Sequence, residues 1–288
     1  MDQPMGKTLA IDGVVLRLRL QRYGLFWDCQ NFPFLFLLKS CNFVKFATKM
    51  LENFHGIVLR TVKYGETGLI VDMFTESHGR MSFMTKLVRS RQSKSRAAFW
   101  APLSMVEFQA DYRPMSSRLP QPQDVRLYYN YSDLPYSPVK STVAMFLAEF
   151  LTSALRSEEQ NIPLFKYMET SLQWYDSSRS AANFHLIFVL QLARYIGIMP
   201  NVEDEGLFFD MQAGSYVPLM PTHRYFLRPD EAKYVRLLMR IRLYTMHLLR
   251  LNREQRRRIL AVLITYYRLH VPQFPELKSL EVLQDVFD

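Results

Sequence analysis

Residues 54–113 decide the fold of this chain, and they read FHGIVLRTVKYGETGLIVDMFTESHGRMSFMTKLVRSRQSKSRAAFWAPLSMVEFQADYR. Three runs in this stretch alternate apolar and polar residues: IVLRTV at 57–62, LIVDMF at 69–74 and RMSFMTK at 80–86. Turn signals separate the runs, at Tyr64-Gly65-Glu66 and at Ser77-His78-Gly79. Period-two alternation with glycine between the runs is typical of antiparallel strands. The stretch therefore predicts a twisted antiparallel sheet that curls into a small barrel.

A basic loop follows the third run directly. It carries four cations among small polar residues: Arg89, Arg91, Lys94 and Arg96. A small β-barrel with a basic loop at its rim is typical of proteins that bind the nucleic-acid backbone. A solvated basic face is the alternative interpretation of the same pattern.

The strands are expected at about 57–63, 68–74, 80–86 and 102–109, and residues 127–131 could supply a fifth. A proline-punctuated loop at 113–123 separates the last two. Five strands with one long irregular connection fit an OB-type barrel, although an SH3-like barrel would give a similar pattern.

A helical region begins at Pro138, where proline suits the first turn of a helix. Apolar residues at helical spacing predict helices over 138–155, 163–175, 183–197, 230–250, 252–269 and 279–287. Asn252 and Gln255 have the spacing of a capping pair. Residues 207–217 interrupt the helices and read as a hairpin with a turn at Ala213-Gly214. The expected fold class is α+β, with a domain at 50–133 and a mostly helical domain at 134–288.

Composition supports a globular chain of two domains: 288 residues, 49% hydrophobic and 22% charged. The net charge is +9, and nine arginines lie between Arg236 and Arg268 with one acid, Glu254. Such clustering favours polyanion binding. The two cysteines, Cys29 and Cys41, provide no disulfide framework, so the body of the chain suits a reducing cytosol.

Residues 1–49 do not show the pattern of the domain that follows. The apolar run Phe32–Leu38 has seven residues, whereas a membrane span needs about 20. Gly6-Lys7-Thr8 lacks the first glycine of a phosphate-binding loop. We interpret residues 1–49 as a poorly ordered extension, or as the result of a start assigned upstream of the true one at Met50. A genuine flexible or sheet-extending arm is the alternative.

The sequence shows no catalytic motif and no cofactor site. The six histidines lack metal-ligand spacing, and the acidic run Glu203-Asp204-Glu205 has no second cluster to converge with. No nucleophile elbow or nucleotide loop is present. We therefore expect no metal, no cofactor and no enzyme activity. Among the aromatic residues of the sheet, Tyr64 and Phe83 are the candidates for stacking on bases.

The chain also resembles the RecO family of bacterial DNA repair and recombination mediators, and its Bacteroidetes branch most. The likeness rests on ordered segments: GIVLRT at 56–61, YGET at 64–67, LIVD at 69–72, FTESHGR at 74–80, PLFKYMETSLQWYD at 163–176, NFHLIFVLQLARYIGIMPN at 183–201 and YYRLHVPQFPELKSLEVL at 266–283. This resemblance favours the OB-type barrel over the SH3-like one. Leu87 departs from the family, because relatives commonly have glycine there.

The resemblance implies a function without a covalent step. A RecO-like protein binds single- and double-stranded DNA, anneals complementary strands, acts with RecR, and helps RecA replace the single-stranded-DNA-binding protein (SSB), whose C-terminal tail it also binds. It is a cytoplasmic, nucleoid-associated protein and a monomer when alone, without a membrane segment. Many relatives bind zinc through paired cysteines in the region of residues 201–220, and this sequence has none there.

Two groups of residues carry these expectations. The DNA-binding candidates are Arg89, Arg91, Lys94, Arg96, Arg80, Lys86, Lys63, Phe83 and Tyr64. The candidates for partner binding are Arg236, Arg240, Arg250, Arg253 and Arg257. The alternative function is a non-catalytic protein–protein adaptor with only weak, non-specific affinity for nucleic acid.

Overall fold

The computed structural model describes residues 8–11, 14–17, 20–21, 24–25, 51–86, 98–113, 116–156, 159–178 and 182–286. The chain divides into two compact units, Met1–Lys49 and Met50–Asp288. The described part of the first unit consists of two short antiparallel hairpins: β1 (Thr8–Ile11) with β2 (Val14–Arg17), and β3 (Leu20–Gln21) with β4 (Gly24–Leu25).

The second unit begins with a five-stranded antiparallel sheet. Its strands are β5 (Leu51–Tyr64), β6 (Gly68–Thr75), β7 (Gly79–Lys86), β8 (Met105–Asp111) and β9 (Gln123–Tyr129), in the order β7-β6-β5-β8-β9. The three alternating runs of the sequence are thus strands, as predicted. The N–H of Met84 in β7 also donates to the carbonyl of Pro120 at 3.0 Å, so the segment before β9 runs beside β7.

β5 is longer than its alternating pattern predicts. It has 14 residues, because its first half pairs with β8 and its second half with β6, with a register shift between Val58 and Arg60. β8 begins later than expected, since a turn precedes it: the N–H of Ser104 donates to the carbonyl of Ala101 at 3.0 Å, and Leu103 has φ 63°. The fifth strand lies at Gln123–Tyr129, slightly before its expected position.

Helices form most of the remaining chain. They are α1 (Pro138–Ala154), α2 (Ile162–Ser177), α3 (Phe184–Tyr195), α4 (Pro229–Arg240), α5 (Arg253–His270) and α6 (Ser279–Val286). The predicted capping pair is confirmed at α5: Asn252 Oδ1 accepts from the N–H of Gln255 at 2.8 Å, and Gln255 Oε1 accepts from the N–H of Asn252 at 2.9 Å.

The single helical region expected at 230–250 is two elements. α4 ends at Arg240, and a separate 3₁₀ helix spans Leu243–Leu248. The hydroxyl of Thr245 accepts a hydrogen bond from the N–H of Arg242 at 3.0 Å, which caps a new helix start two residues after α4. The segment contains neither proline nor glycine, the residues that usually end a helix. The local capping by Thr245 therefore explains the break between the two helices.

A small three-stranded sheet lies between α3 and α4 in the chain. It contains the predicted hairpin, β10 (Phe208–Asp210) with β11 (Ser215–Val217), whose turn includes Gly214 at φ 69°. A third strand, β12 (Phe226–Leu227), pairs with the other edge of β10. β12 was not predicted, since two residues are too short to show alternation.

The large sheet buries side chains on both faces. One face encloses a core of its own: Phe54, Val58, Val71, Met73, Phe83, Val106, Phe108 and Ala110. The other face contributes Ile57, Leu59, Phe74 and Met105 to the core of the helices, and Leu103 joins them from the turn before β8. This second core joins the sheet and helices into one compact unit. None of the described helices is long and apolar enough to cross a membrane.

Candidate nucleic-acid interface

The register of β5, β6 and β7 places side chains on an inner and an outer face. Residues directly opposite each other on antiparallel strands share a face. Three such rows lie on the outer face, in order toward the β5–β6 turn: Arg60–Asp72–Ser82, Val62–Ile70–Met84 and Tyr64–Gly68–Lys86. Before these rows, Ile57 and Phe74 are buried against the helical core. The helices therefore cover one end of the outer face and leave the end at the turn open.

The open end combines apolar, aromatic and basic side chains. Val62 is 44% exposed and Tyr64 is 58% exposed. Lys86 is also exposed, directly across Gly68 from Tyr64. In OB-type proteins, exposed aromatics stack on bases while neighbouring cations contact phosphates. Two of the predicted DNA-binding residues, Tyr64 and Lys86, thus lie together on one surface.

Lys63 is exposed but occupies the opposite face at the same end of the sheet. Its cross-strand partner is Leu69, which in turn lies opposite Thr85. A nucleic-acid strand that lies on the outer face would meet Lys63 only at the rim of the β5–β6 turn. The predicted DNA-binding residues at this end of the sheet are therefore divided between its two faces: Tyr64 and Lys86 lie on the outer face, and Lys63 lies on the opposite one.

Phe83 was predicted to stack on bases, and this prediction is wrong. Its side chain is 0% exposed and lies in the inner core of the sheet, with ring centroids 4.9 Å from Phe108 and 5.6 Å from Phe54. Period-two alternation identifies residues that share a face, but it does not identify the buried face when both faces carry apolar residues.

Arg80 was also predicted to bind DNA, and the structure gives it a different role. Its Nη1 donates to the carbonyl of Thr152 at 2.7 Å, and its Nη2 donates to Asp72 at 3.3 Å. The side chain is only 16% exposed. Thr152 lies in the last turn of α1, where unpaired carbonyls attract cations. Arg80 therefore joins the sheet to a helix end, and is not placed as a free phosphate ligand.

Asp72 is the acidic centre of this outer face. The carboxylate is 5% exposed and accepts from Arg60 Nε at 2.7 Å and from the Ser82 hydroxyl at 2.6 Å. Burial by itself would raise the pKa of Asp72, but the hydrogen bond from Ser82 and the two guanidiniums hold that pKa below its ordinary value. Asp72 is therefore ionised at neutral pH, and it orients the Arg60 side chain.

The basic loop residues Arg89, Arg91, Lys94 and Arg96 lie outside the described residues. The described chain before them ends at Lys86, in the row of Tyr64. The chain after them resumes at Ala98–Trp100, where the carbonyl of Trp100 accepts from the hydroxyl of Thr61 at 2.9 Å. The segment before the loop thus ends in the row of Tyr64, and the segment after it contacts β5 three residues before Tyr64.

Arg118 is a cation near this surface that the sequence did not single out. It is exposed, and it lies two residues before Pro120, whose carbonyl accepts from Met84 in β7. This contact between distant segments places Arg118 near the β7 edge. The proline-rich segment carries no local signal that could have indicated it.

The arginines of the helical domain have separate environments. Arg236 donates to the carbonyl of Asp204 at 2.9 Å, and its guanidinium lies 3.8 Å from the centre of the Tyr216 ring. The other four predicted partner-binding residues are exposed: Arg240, Arg250, Arg253 and Arg257. Arg236 therefore stabilises the contact between α4 and the small sheet, a role that its sequence context did not indicate.

An apolar groove opens between α4 and α5, with a volume of about 210 Å³. Leu238, Ile259 and Val262 contribute to its walls, while Arg258, Glu231 and Glu254 supply charge. Arg258 and Glu231 form an ion pair. None of the five predicted partner-binding arginines lines the groove. The walls of this groove suit an apolar ligand, and exposed Arg240, Arg253 and Arg257 of α4 and α5 lie outside its lining, whereas exposed Arg258 is part of it.

The small sheet does not fit a zinc ion. Asp210 accepts from the N–H groups of Gln212 and Ala213 at 2.8 and 3.1 Å, and it pairs with His223 at 3.2 Å. Nowhere in the described chain do three His, Cys, Asp or Glu side chains converge to hold a metal. The turn of this hairpin is held by the Asp210–His223 pair and by backbone N–H groups that donate to Asp210.

Comparison with known proteins identifies two matching family models. Residues 50–127 match the model described as Recombination protein O N terminal, and residues 135–281 match Recombination protein O C terminal. This chain is similar to proteins named DNA repair protein RecO, and the matches to the two relatives given next cover the whole length of each relative. The chain is 48% identical to that of Phocaeicola vulgatus over 241 residues and 44% identical to that of Bacteroides fragilis over 243 residues, in each case 83% of this chain and 100% of the relative.

A relative from Christiangramia forsetii is 33% identical over 240 residues. These matches agree with the ordered motifs of the sequence and with a sheet followed by helices. The chain therefore belongs to the RecO family of DNA repair and recombination proteins, in its Bacteroidetes branch.

Proposed function

We propose that this protein is a recombination mediator that binds single- and double-stranded DNA, anneals complementary strands and, with RecR, helps RecA replace SSB. The observation that carries the proposal is the open outer face of β5–β7. There an exposed aromatic residue, Tyr64, lies beside Lys86, which leads directly into the basic loop. Stacking and phosphate neutralisation on one surface are what binding of an unpaired strand requires.

The approach of Pro120 to Met84 also supports the OB-type barrel that we propose for the sheet. In such barrels, strands at the centre of the outer face and the loops beside them bind oligonucleotides. The β5–β6 turn and the 111–123 connection, which carries Arg118, would then border the same binding surface. A strand of DNA would cross β5 and β7 between these two borders.

Annealing follows from charge and needs no covalent chemistry. DNA strands repel each other through their phosphates, and cations that neutralise those phosphates reduce the repulsion. The basic loop would hold one strand, and the exposed arginines of α4 and α5 would attract a second. Complementary bases could then approach within pairing distance. The protein would act without a catalytic residue, metal or cofactor.

The groove between α4 and α5 is our candidate site for the C-terminal tail of SSB. Such a tail is acidic and apolar. The apolar walls of the groove would accept its apolar end, while Arg257 and Arg258 on α5 would attract its acidic part. Glu231 and Glu254 oppose this attraction, so the fit depends mainly on apolar burial. RecA would be affected indirectly, through removal of SSB. We place the protein in the cytoplasm with the nucleoid, as a monomer when alone.

The test of DNA binding is a salt titration with a labelled oligonucleotide. Changing Arg89, Arg91, Lys94 and Arg96 together to alanine should weaken binding to all sequences alike. It should also reduce the slope of log K against log salt by about 0.7 for each lost phosphate contact on a single strand.

The matched control for this titration is Arg126→Ala, which removes an exposed cation of β9 opposite Glu107, away from the β5–β6 turn. It should leave the slope unchanged. Wild-type protein with weak binding and no salt dependence would instead favour the alternative, a protein–protein adaptor. Metal-dependent cleavage of the oligonucleotide would indicate an enzyme.

A further inference from the structure

We propose that Arg60 is an additional phosphate-binding residue of the outer face, held in position by Asp72. The inference rests on the proposed DNA binding and assigns a role to a residue that its sequence context did not indicate. Arg60 lies in the middle of β5, at the border between the part of the outer face covered by α1 and the part that is open.

The geometry leaves one edge of the Arg60 guanidinium available. Its Nε donates to Asp72 at 2.7 Å, and the side chain is 56% exposed, whereas the Asp72 side chain is 5% exposed. Within the described residues, Nη1 and Nη2 of Arg60 have no hydrogen-bond partner. These two groups can donate in parallel to two oxygens of one phosphate, a geometry that lysine cannot reproduce.

A chain of contacts fixes the position of this guanidinium. Asp72 is held by the hydroxyl of Ser82 at 2.6 Å and by Arg80, which donates to the carbonyl of Thr152 in α1. The support for Arg60 thus extends from a buried carboxylate to the backbone of a helix. A cation oriented before binding loses less side-chain entropy when a ligand arrives than a free one does.

The local charge favours an anion. The carboxylate of Asp72 is shared by two guanidiniums, those of Arg60 and Arg80, so the group carries one excess positive charge. Arg80 is nearly buried, and the excess is presented to solvent by Arg60.

The position of Arg60 also matches a strand that stacks on Tyr64. The two residues share a face and are four positions apart on β5, about 13 Å in an extended strand. That distance corresponds to about four phosphates at the rise of a B-form strand. The row Val62–Ile70–Met84 lies between them and offers apolar contact to bases. Arg60 would therefore bind a phosphate a few nucleotides from the base on Tyr64.

The experiment compares Arg60→Gln, Arg60→Lys and the control Arg126→Gln in binding to a labelled oligo-dT across a series of salt concentrations. Arg60→Gln should lower affinity about fivefold at 0.1 M salt and reduce the salt slope by about 0.7, the effect of one lost phosphate contact. Arg60→Lys should keep the slope and lose part of the affinity, because the charge remains without the paired donors. Arg126→Gln should behave as the wild type.

A second measurement uses the unchanged protein, so it does not depend on how a variant folds. Modification of Arg60 by phenylglyoxal, read by mass spectrometry, should be slowed by saturating oligo-dT, while modification of Arg126 should not. The inference about Arg60 is wrong if the wild type binds DNA and Arg60→Gln binds it with the same affinity and salt slope. It is also wrong if the wild type binds DNA and oligo-dT does not slow the modification of Arg60. Either result would leave the proposed function intact. Absence of salt-dependent binding in the wild type would overturn both.

Discussion

Asp176 near the end of α2 accepts a hydrogen bond from the backbone N–H of Leu134 at 2.7 Å. The same buried carboxylate accepts from the N–H groups of Ser132 and Asp133 at 2.8 and 2.9 Å. These three residues connect the last strand of the sheet to α1. One side chain therefore satisfies three consecutive backbone N–H groups of this connection, and it ties the connection to α2.

This contact predicts a pH-dependent contribution to stability. Burial would raise the pKa of Asp176, but the hydrogen bonds from Ser132, Leu134 and Asp133 lower it from 3.8 to about 2. A lowered carboxylate pKa stabilises the fold above the unfolded value and loses that effect as pH falls through the folded value. The contribution, about 2 kcal/mol, should be present above about pH 4 and disappear near pH 2.

The variant Asp176→Asn should test this prediction by urea unfolding. At pH 7 it should lower the free energy of unfolding by about 2–4 kcal/mol, because buried N–H groups lose a charged acceptor. The difference from the wild type should shrink as pH falls below about 4. An equal difference at pH 7 and pH 3 would show that shape, and not the charge of Asp176, is responsible.

Tyr64 and Phe83 should respond in opposite ways to truncation. Tyr64→Ala removes an exposed ring, so it should weaken single-strand binding by about 1–3 kcal/mol and leave the melting temperature unchanged. Phe83→Ala removes a buried ring and should lower the free energy of unfolding by about 3–5 kcal/mol. The control Tyr64→Phe should retain binding. Unchanged affinity in Tyr64→Ala would remove this residue from the interface.

Filling the groove between α4 and α5 should separate partner binding from DNA binding. Val262 lines the groove and is partly exposed, so Val262→Trp should block an apolar peptide from entering. Fluorescence anisotropy with a labelled SSB-tail peptide should show lost binding, while oligonucleotide affinity stays as in the wild type. Arg268→Ala, on the same helix but outside the groove lining, is the control. Peptide binding that survives in Val262→Trp would place the tail elsewhere.

The small sheet should be stable without zinc. Burial would raise the pKa of Asp210, but hydrogen bonds from the N–H groups of Ala213 and Gln212 and from His223 hold that pKa below its ordinary value, so Asp210 is ionised at neutral pH. Elemental analysis should find no stoichiometric zinc, and a chelator should not change the melting temperature. About one zinc per chain would contradict the prediction, and Asp210→Ala with and without added zinc would then show whether this pair is involved.

A chain shortened to begin at Met50 should fold and bind DNA as well as the full chain. Residues 50–288 form one compact unit with their own cores. Removal of the apolar run Phe32–Leu38 should also improve solubility. Melting temperature, oligonucleotide affinity and annealing rate are the measurements. A decrease of several degrees in melting temperature would show that residues 1–49 stabilise the rest of the protein.

The features that the sequence by itself determined are those that depend on neighbours along the chain. The glycine turns around Gly65 and Gly79, the alternating strands between them and the Asn252–Gln255 cap are local, and each is confirmed. Family membership was also accessible, because several motifs occur in one order. Local steric and hydrogen-bonding rules are sufficient for such features.

Only the tertiary structure decided what the individual side chains can contact. Phe83 alternates correctly in its strand, yet its face is buried because the sheet has a core on both sides. Arg80 and Arg60 look alike in sequence, but the end of α1 sits over Arg80 and leaves Arg60 open. Arg118 lies near the β7 edge because Pro120, two residues later, accepts a hydrogen bond from Met84. These outcomes depend on residues far apart in the chain, whose packing no local pattern records.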